Sequence, residues 1–129
     1  MQSLQQETLG DLMGHVWADI AIRSPSTEKG VFLKALVDTG ATLTLVPRRI
    51  AEELQLPLIG KRNVTTAKGV AEFDECLGII EIMGRKAYSH ILVSDETEVV
   101  FVGTVVLETL GFEVDPITGK LKEAKTFLL

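Results

Sequence analysis

The sequence holds a single cysteine, Cys76, in 129 residues. That excludes an intramolecular disulfide and a cysteine-based zinc cluster, and it is compatible with a reducing compartment. Histidine is nearly as scarce: His15 and His90 have no metal-ligand spacing, so neither a metal nor a cofactor is expected. Long apolar runs are absent too. The longest, Val99 to Val102, is strand-sized and far short of the roughly 18 residues that a bilayer span needs, so no membrane partner is expected. Met1 to Gly14 lacks a basic start followed by an apolar stretch, which argues against a signal peptide. Positive charge is in deficit, with 13 Lys and Arg against 18 Asp and Glu, a net charge of −5 and a pI near 5.0. The basic residues are scattered, as at Arg48, Lys61, Arg85 and Lys120, and read as solvated surface. A nucleic-acid partner is therefore not expected either. Low-complexity tracts are missing, and 46% of the residues are hydrophobic, so one folded domain is the natural reading.

What is present is mostly strand signal. His15 to Ile22 alternates, with Val16, Ala18, Ile20 and Ile22 on one face. A loop rich in Ser, Pro and Gly follows over Arg23 to Gly30. Val31 to Val37 is then a mainly apolar run, and the two segments read as a hairpin. A short segment, Leu43 to Val46, precedes Pro47, which suits the first position of a helix because its missing N–H costs nothing there. Ile50, Ala51 and Leu54 recur at helical spacing, predicting a helix over Pro47 to Leu54. Asn63 to Thr66 and Val70 to Phe73 flank a hairpin tip at Ala67-Lys68-Gly69. The return strand runs long, through Leu77 to Met83, and Tyr88 to Val93 and Val99 to Val102 read as further strands. Thr104 to Leu110 is a second helix, stopped by Gly111. Asp115 to Gly119 is a turn. The expected fold is mostly β, a small barrel or sandwich with one or two short helices. An apolar run, a glycine and a short helix occur at Leu36 to Leu54 and again, faintly, at Val100 to Leu110.

The chemistry centres on Ala35-Leu36-Val37-Asp38-Thr39-Gly40-Ala41-Thr42. The apolar strand brings Asp38 near the core, where the pKa of a carboxylate can be tuned. Thr39 offers a hydroxyl that can fix a loop, and Gly40 lets its backbone N–H approach a carboxylate. Asp-Thr-Gly is also a plain turn sequence. A turn between Leu36-Val37 and Leu43, Leu45 and Val46, however, sits in apolar surroundings that a mere connection would avoid.

Leu36-Val37-Asp38-Thr39-Gly40-Ala41, followed by Leu45-Val46-Pro47, resembles the active-site segment of retropepsin-like aspartic proteases, the retroviral-type single-domain family. The apolar run into Gly103 and the helix to Leu110-Gly111 resembles the second characteristic segment. The continuation from Phe112 to Leu121 is similar to prokaryotic members, which suggests a cytoplasmic location. The hairpin tip falls where the family places its flap. Viral members usually carry an arginine and then Asp or Asn after the second glycine, where this chain has Thr104-Val105. The resemblance covers about Val16 to Leu121. It implies a closed, barrel-like fold over residues 15–129, with 1–14 as an N-terminal extension that is mobile or at an interface.

The resemblance also implies a mechanism. Two-lobed aspartic proteases carry two Asp-Thr/Ser-Gly motifs in one chain, and this chain has one. The second carboxylate would come from a second copy, since an isologous contact puts Asp38 opposite Asp38. The implied activity is an aspartic endopeptidase acting on peptide or protein substrates as a homodimer. Asp38, Thr39 and Gly40 would be catalytic, and Ala41, Thr66, Ala67, Lys68, Gly69 and Val102 would meet substrate. For Val102, plain core packing is at least as good a reading. The alternative function is a catalytically silent domain of the same fold that dimerises or binds peptide.

Overall fold

Strand β1 (Val16–Arg23) shows why the alternating pattern folds as it does. Val16, Ala18, Ile20 and Ile22 all point into the core, as their two-residue period requires. Strand β1 pairs antiparallel with β2 (Gly30–Val37), Val16 opposite Val37 and Arg23 opposite Gly30. This is the hairpin that the sequence announces. The computed structural model describes residues 15–128, and the expected N-terminal extension lies outside them.

After β2 come β3 (Thr44–Pro47) and helix α1 (Arg48–Leu54). Pro47 is the last residue of β3 and caps the helix rather than opening it, so the helix starts one residue later than expected. Ile50, Ala51 and Leu54 are buried, as the helical spacing predicts. Next are β4 (Leu58–Thr66), β5 (Gly69–Ile82), β6 (Arg85–Ser94) and β7 (Phe101–Val102). Helix α2 (Thr104–Leu110) ends at Gly111, whose φ of 81° is the left-handed conformation that glycine adopts freely. A small two-stranded sheet, β8 (Phe112–Val114) with β9 (Leu121–Glu123), closes the described chain around the predicted Asp115–Gly119 turn.

The main sheet has the order β1-β2-β7-β3-β6-β5-β4, and β1 also pairs with β5. The second contact bends the sheet into a ring of strands, with β4 outside it, paired only to β5. The fold is mostly β, as expected. Inside the ring lie Ile22, Val46, Ile80, Ile82, Ile91 and Val102, with Leu54 from α1 and Val106 and Leu110 from α2. Apolar burial at about 25 cal/mol per Å² is the main source of stability for such a core.

The Arg85 guanidinium lies 4.8 Å over the Phe112 ring and donates to the Leu110 carbonyl at 2.8 Å. A cation there suits the negative end of α2 and ties the β5–β6 turn to it. The faint repeat in the sequence becomes a spatial one. Strands β2 and β7 run parallel, Leu36 beside Phe101 and Val37 beside Val102. Each leads out of the core into a glycine-containing loop. The expected strand over Val99 to Val102 is shorter than the apolar run suggests, because only Phe101 and Val102 enter the ladder, although the Val100 carbonyl still accepts the Leu36 N–H at 2.9 Å.

Candidate active site

Asp38 sits one residue past β2, where the strand leaves the core. Its N–H bonds to the Val102 carbonyl at 2.9 Å, which fixes the start of the loop to β7. The Gly40 N–H donates to the Asp38 carboxylate at 2.9 Å, and the Ala41 N–H to the Asp38 carbonyl at 3.1 Å. The loop is thus a tight turn wrapped around its own carboxylate. Asp38 is partly exposed, and Thr39 and Gly40 are exposed. The loop turns, and it presents a partly exposed carboxylate while doing so.

The second glycine segment braces this loop. The Gly103 N–H donates to Thr44 Oγ1 at 3.1 Å, in the buried interior. The Thr104 and Val105 N–H groups, at the start of α2, donate to the Ala41 and Thr42 carbonyls at 2.9 and 3.1 Å. A Cβ on Gly103 would meet the Leu43 carbonyl carbon at 2.6 Å and the Leu43 and Thr42 oxygens at 2.7 Å. Only glycine lets the two backbones approach so closely. Within this chain the Asp38 loop is therefore held by main-chain donors of Thr104 and Val105.

The long hairpin of β4 and β5 overhangs the loop. Its register pairs Thr66 with Gly69, leaving Ala67 and Lys68 at the tip. The Thr66 hydroxyl donates to the Gly69 carbonyl at 2.8 Å and accepts the Lys68 N–H at 3.1 Å, so the tip is internally fastened. Between hairpin and loop runs a groove of about 700 Å³, lined among others by Asp38, Gly40, Ala41, Leu43, Leu45, Thr66, Phe73 and Leu92. Of the sequence-predicted residues, Asp38, Gly40, Ala41 and Thr66 meet along this groove. Thr39 is exposed beside it, and Ala67, Lys68 and Gly69 form the exposed tip beyond it. Val102 does not reach the groove. It is fully buried in the core, because the inward face of β7 points into the ring.

Sequence reading missed the charged residues around the hairpin. Arg62, on β4, grips Glu75 of β5 through two bonds of 2.9 Å, from Nε and Nη2. The buried Glu75 also contacts His90 Nδ1. The Arg62 guanidinium, aided by His90 and opposed by burial, holds the Glu75 carboxyl at about 2. Beside Glu75 in sequence, Asp74 joins Lys61 Nζ at 2.6 Å and Arg48 Nη1 at 3.1 Å, and Arg48 also pairs with Asp95. Both cations keep Asp74 below the ordinary carboxylate range. These partners lie 13 to 47 residues apart in sequence, and only the strand register brings them together.

The model of the gag-polyprotein putative aspartyl protease family matches residues 27–107, from the loop before β2 to within α2. The chain belongs to that family. No curated protein sequence matches it. Among solved structures it is similar to the EIAV protease complexed with the inhibitor HBY-793, at 21% identity and a TM-score of 0.61, covering 87% of this chain and 91% of that one. That likeness is one of fold. The simian foamy virus (mac) protease matches at 26% identity and a TM-score of 0.55, covering 73% of this chain and 93% of that one. A foamy viral protease-reverse transcriptase in complex with an RNA/DNA hybrid matches at 18% identity and a TM-score of 0.55, over 74% of this chain and 12% of that one. Family and fold together make this an aspartic-protease-like hydrolase. Among the described residues no helix is long and apolar enough to cross a membrane.

Proposed function

We propose that the chain is one half of an aspartic endopeptidase, and that two copies bring their Asp38 carboxylates together across a two-fold axis. The observation that carries this reading is the state of Asp38. It is a partly exposed carboxylate at the end of an apolar strand, in the only Asp-Thr-Gly of the chain, lining a groove under an overhanging hairpin. One such carboxylate is half of what the chemistry needs. An isologous contact supplies the other from the same surface of a second copy.

In aspartic proteases generally, two carboxylates about 3 Å apart cannot both ionise, so they share a proton. One Asp38 would act as general base on a water. The other, protonated, would polarise the scissile carbonyl, and the protons would belong to the pair. The Gly40 N–H already aims at the Asp38 carboxylate and would keep it oriented through the cycle. Thr39, exposed beside the groove, would join the two loops across the axis. The Gly40 carbonyl would hold substrate backbone. The substrate would lie extended between the Asp38 loop and the hairpin, strand-like, with backbone bonds for affinity and pockets for side-chain preference. Ala41 and Thr66 line that path, and the tip at Ala67, Lys68 and Gly69 would close over it and exclude water.

The test is Asp38→Asn. The variant should lose peptide cleavage, while its circular dichroism and its dimer mass in sedimentation match the parent. Substantial residual cleavage would refute the assignment.

A further inference from the structure

The groove under the hairpin has an uneven charge. Its lining is otherwise small, apolar or neutral, and it contains two ionisable side chains, Asp38 and Arg62. Asp38 is committed to the reaction in the reading above. Arg62 has no part in it, yet it is built into the groove with care.

Its guanidinium is not a loose surface cation. Nε and Nη2 are fixed by the two oxygens of Glu75, which is itself buried and steadied by His90. Strand alternation puts Glu75 on the same face of β5 as Phe73, which lines the groove, while the next residue, Cys76, points into the core. The anion therefore lies beneath and the cation above, half-exposed. An arginine has five N–H donors in a rigid fork. Glu75 takes one from Nε and one from Nη2, and the other three, two on Nη1 and one on Nη2, have no protein partner among the described residues. A fork held from behind in this way has already lost its rotamer freedom, so a ligand that bonds the open side bears little further ordering cost.

We propose that Arg62 is a specificity-determining residue that selects substrates with an acidic side chain, Asp or Glu, at the position lying against β4. The inference rests on the protease reading. Apolar substrate side chains would fill the pockets by Leu43, Leu45, Phe73 and Leu92, and the carboxylate would bond the free Nη1 donors. Glu75 orients Arg62 and does not touch substrate, so it is a positioning residue.

The experiment uses extended peptides with apolar residues on both sides of the scissile bond, made in pairs that differ only by Glu or Gln at one position. Each pair is assayed at about pH 6, where a peptide carboxylate is ionised. One position should show at least about a tenfold higher kcat/KM for Glu, as expected of a charge-assisted bond. In R62M/E75Q, which removes the cation without stranding a buried anion, that ratio should fall to within about twofold of one, and R62K should restore part of it. Equal rates for Glu and Gln at every position in the parent protein would overturn the proposal, as would a preference that survives in R62M/E75Q. The same pairs are also titrated against Asp38→Asn by fluorescence anisotropy. A Glu preference in that binding, lost when R62M/E75Q is added to Asp38→Asn, together with a parent protein that cleaves none of the peptides, would uphold the Arg62 inference and sink the protease reading. Absence of both cleavage and preferential binding would sink the two together.

Discussion

Gly103→Ala is the sharpest test of how the candidate site is held. The new Cβ would sit 2.6–2.7 Å from main-chain atoms of Leu43 and Thr42, closer than real side chains approach backbone. Neither side can retreat freely. The Thr104 and Val105 N–H groups fasten α2 to the Ala41 and Thr42 carbonyls, and the Gly103 N–H is bonded to buried Thr44. Overpacking of this kind costs about 1–3 kcal/mol, and losing the buried Gly103–Thr44 bond about 1–3 kcal/mol more. The expected destabilisation is about 2–6 kcal/mol, a fall in Tm of roughly 8–24 °C at about 4 °C per kcal/mol. Two other glycines serve as controls. At Gly78 the only close approach of the Cβ would be to the end of the Ile91 side chain rather than to backbone, and at Gly60 it meets nothing within 4 Å. Melts followed by circular dichroism should therefore rank Gly103→Ala well below Gly78→Ala, with Gly60→Ala near the parent. A Gly103→Ala protein melting within about 2 °C of the parent would refute the bracing argument.

Other outcomes follow from the same contacts. Glu75 is held at about 2 against an ordinary 4.5, so its contribution is present above pH 4.5 and is lost as pH falls toward 2. Urea midpoints measured from pH 7 to pH 2 should drop less steeply over that window in Glu75→Gln than in the parent. Asp74→Asn removes the shared partner of Lys61 and Arg48. It should speed amide exchange at Lys61–Asn63 more than it lowers Tm, because exposed pairs contribute little to global stability. Thr66→Ala unfastens the hairpin tip by removing two hydrogen bonds. It should lower kcat/KM severalfold with Tm nearly unchanged, as a peptidase assay beside a melt would show. Burial raises the pKa of the Cys76 thiol, so a thiol reagent should label it in urea and hardly at all in the native protein.

Much of this fold is written locally. The period-two pattern of β1, the loop at Arg23–Gly30, the helical spacing of Ile50, Ala51 and Leu54, and the stop at Gly111 each depend on neighbours a few residues away, and they read correctly from sequence. The Asp38 loop was legible for the same reason: a polar triplet between apolar strands is a local anomaly. What stayed hidden depends on register. Glu75 looks like an ordinary polar residue in an alternating strand, and nothing near it in sequence marks Arg62 or His90 as its partners. Val102 reads from sequence as either a groove or a core residue, and the inward turn of β7 that decides for the core is set by its pairing with β2 and β3. The length of β4 was missed because its exposed, charged sequence lacks the apolar signal of a core strand. It forms because β5 offers it a partner outside the ring.

The central claim is that each active site needs two copies of Asp38, and subunit mixing tests it most directly. A fixed amount of parent protein is equilibrated with increasing Asp38→Asn protein, and peptide cleavage per parent subunit is followed. If both carboxylates are required, mixed dimers are silent. Cleavage should then fall to about one half at equal amounts and to about one tenth at a ninefold excess, as random pairing in an isologous dimer dictates. Cleavage that stays constant at every ratio would mean that each chain works alone, and would contradict the account.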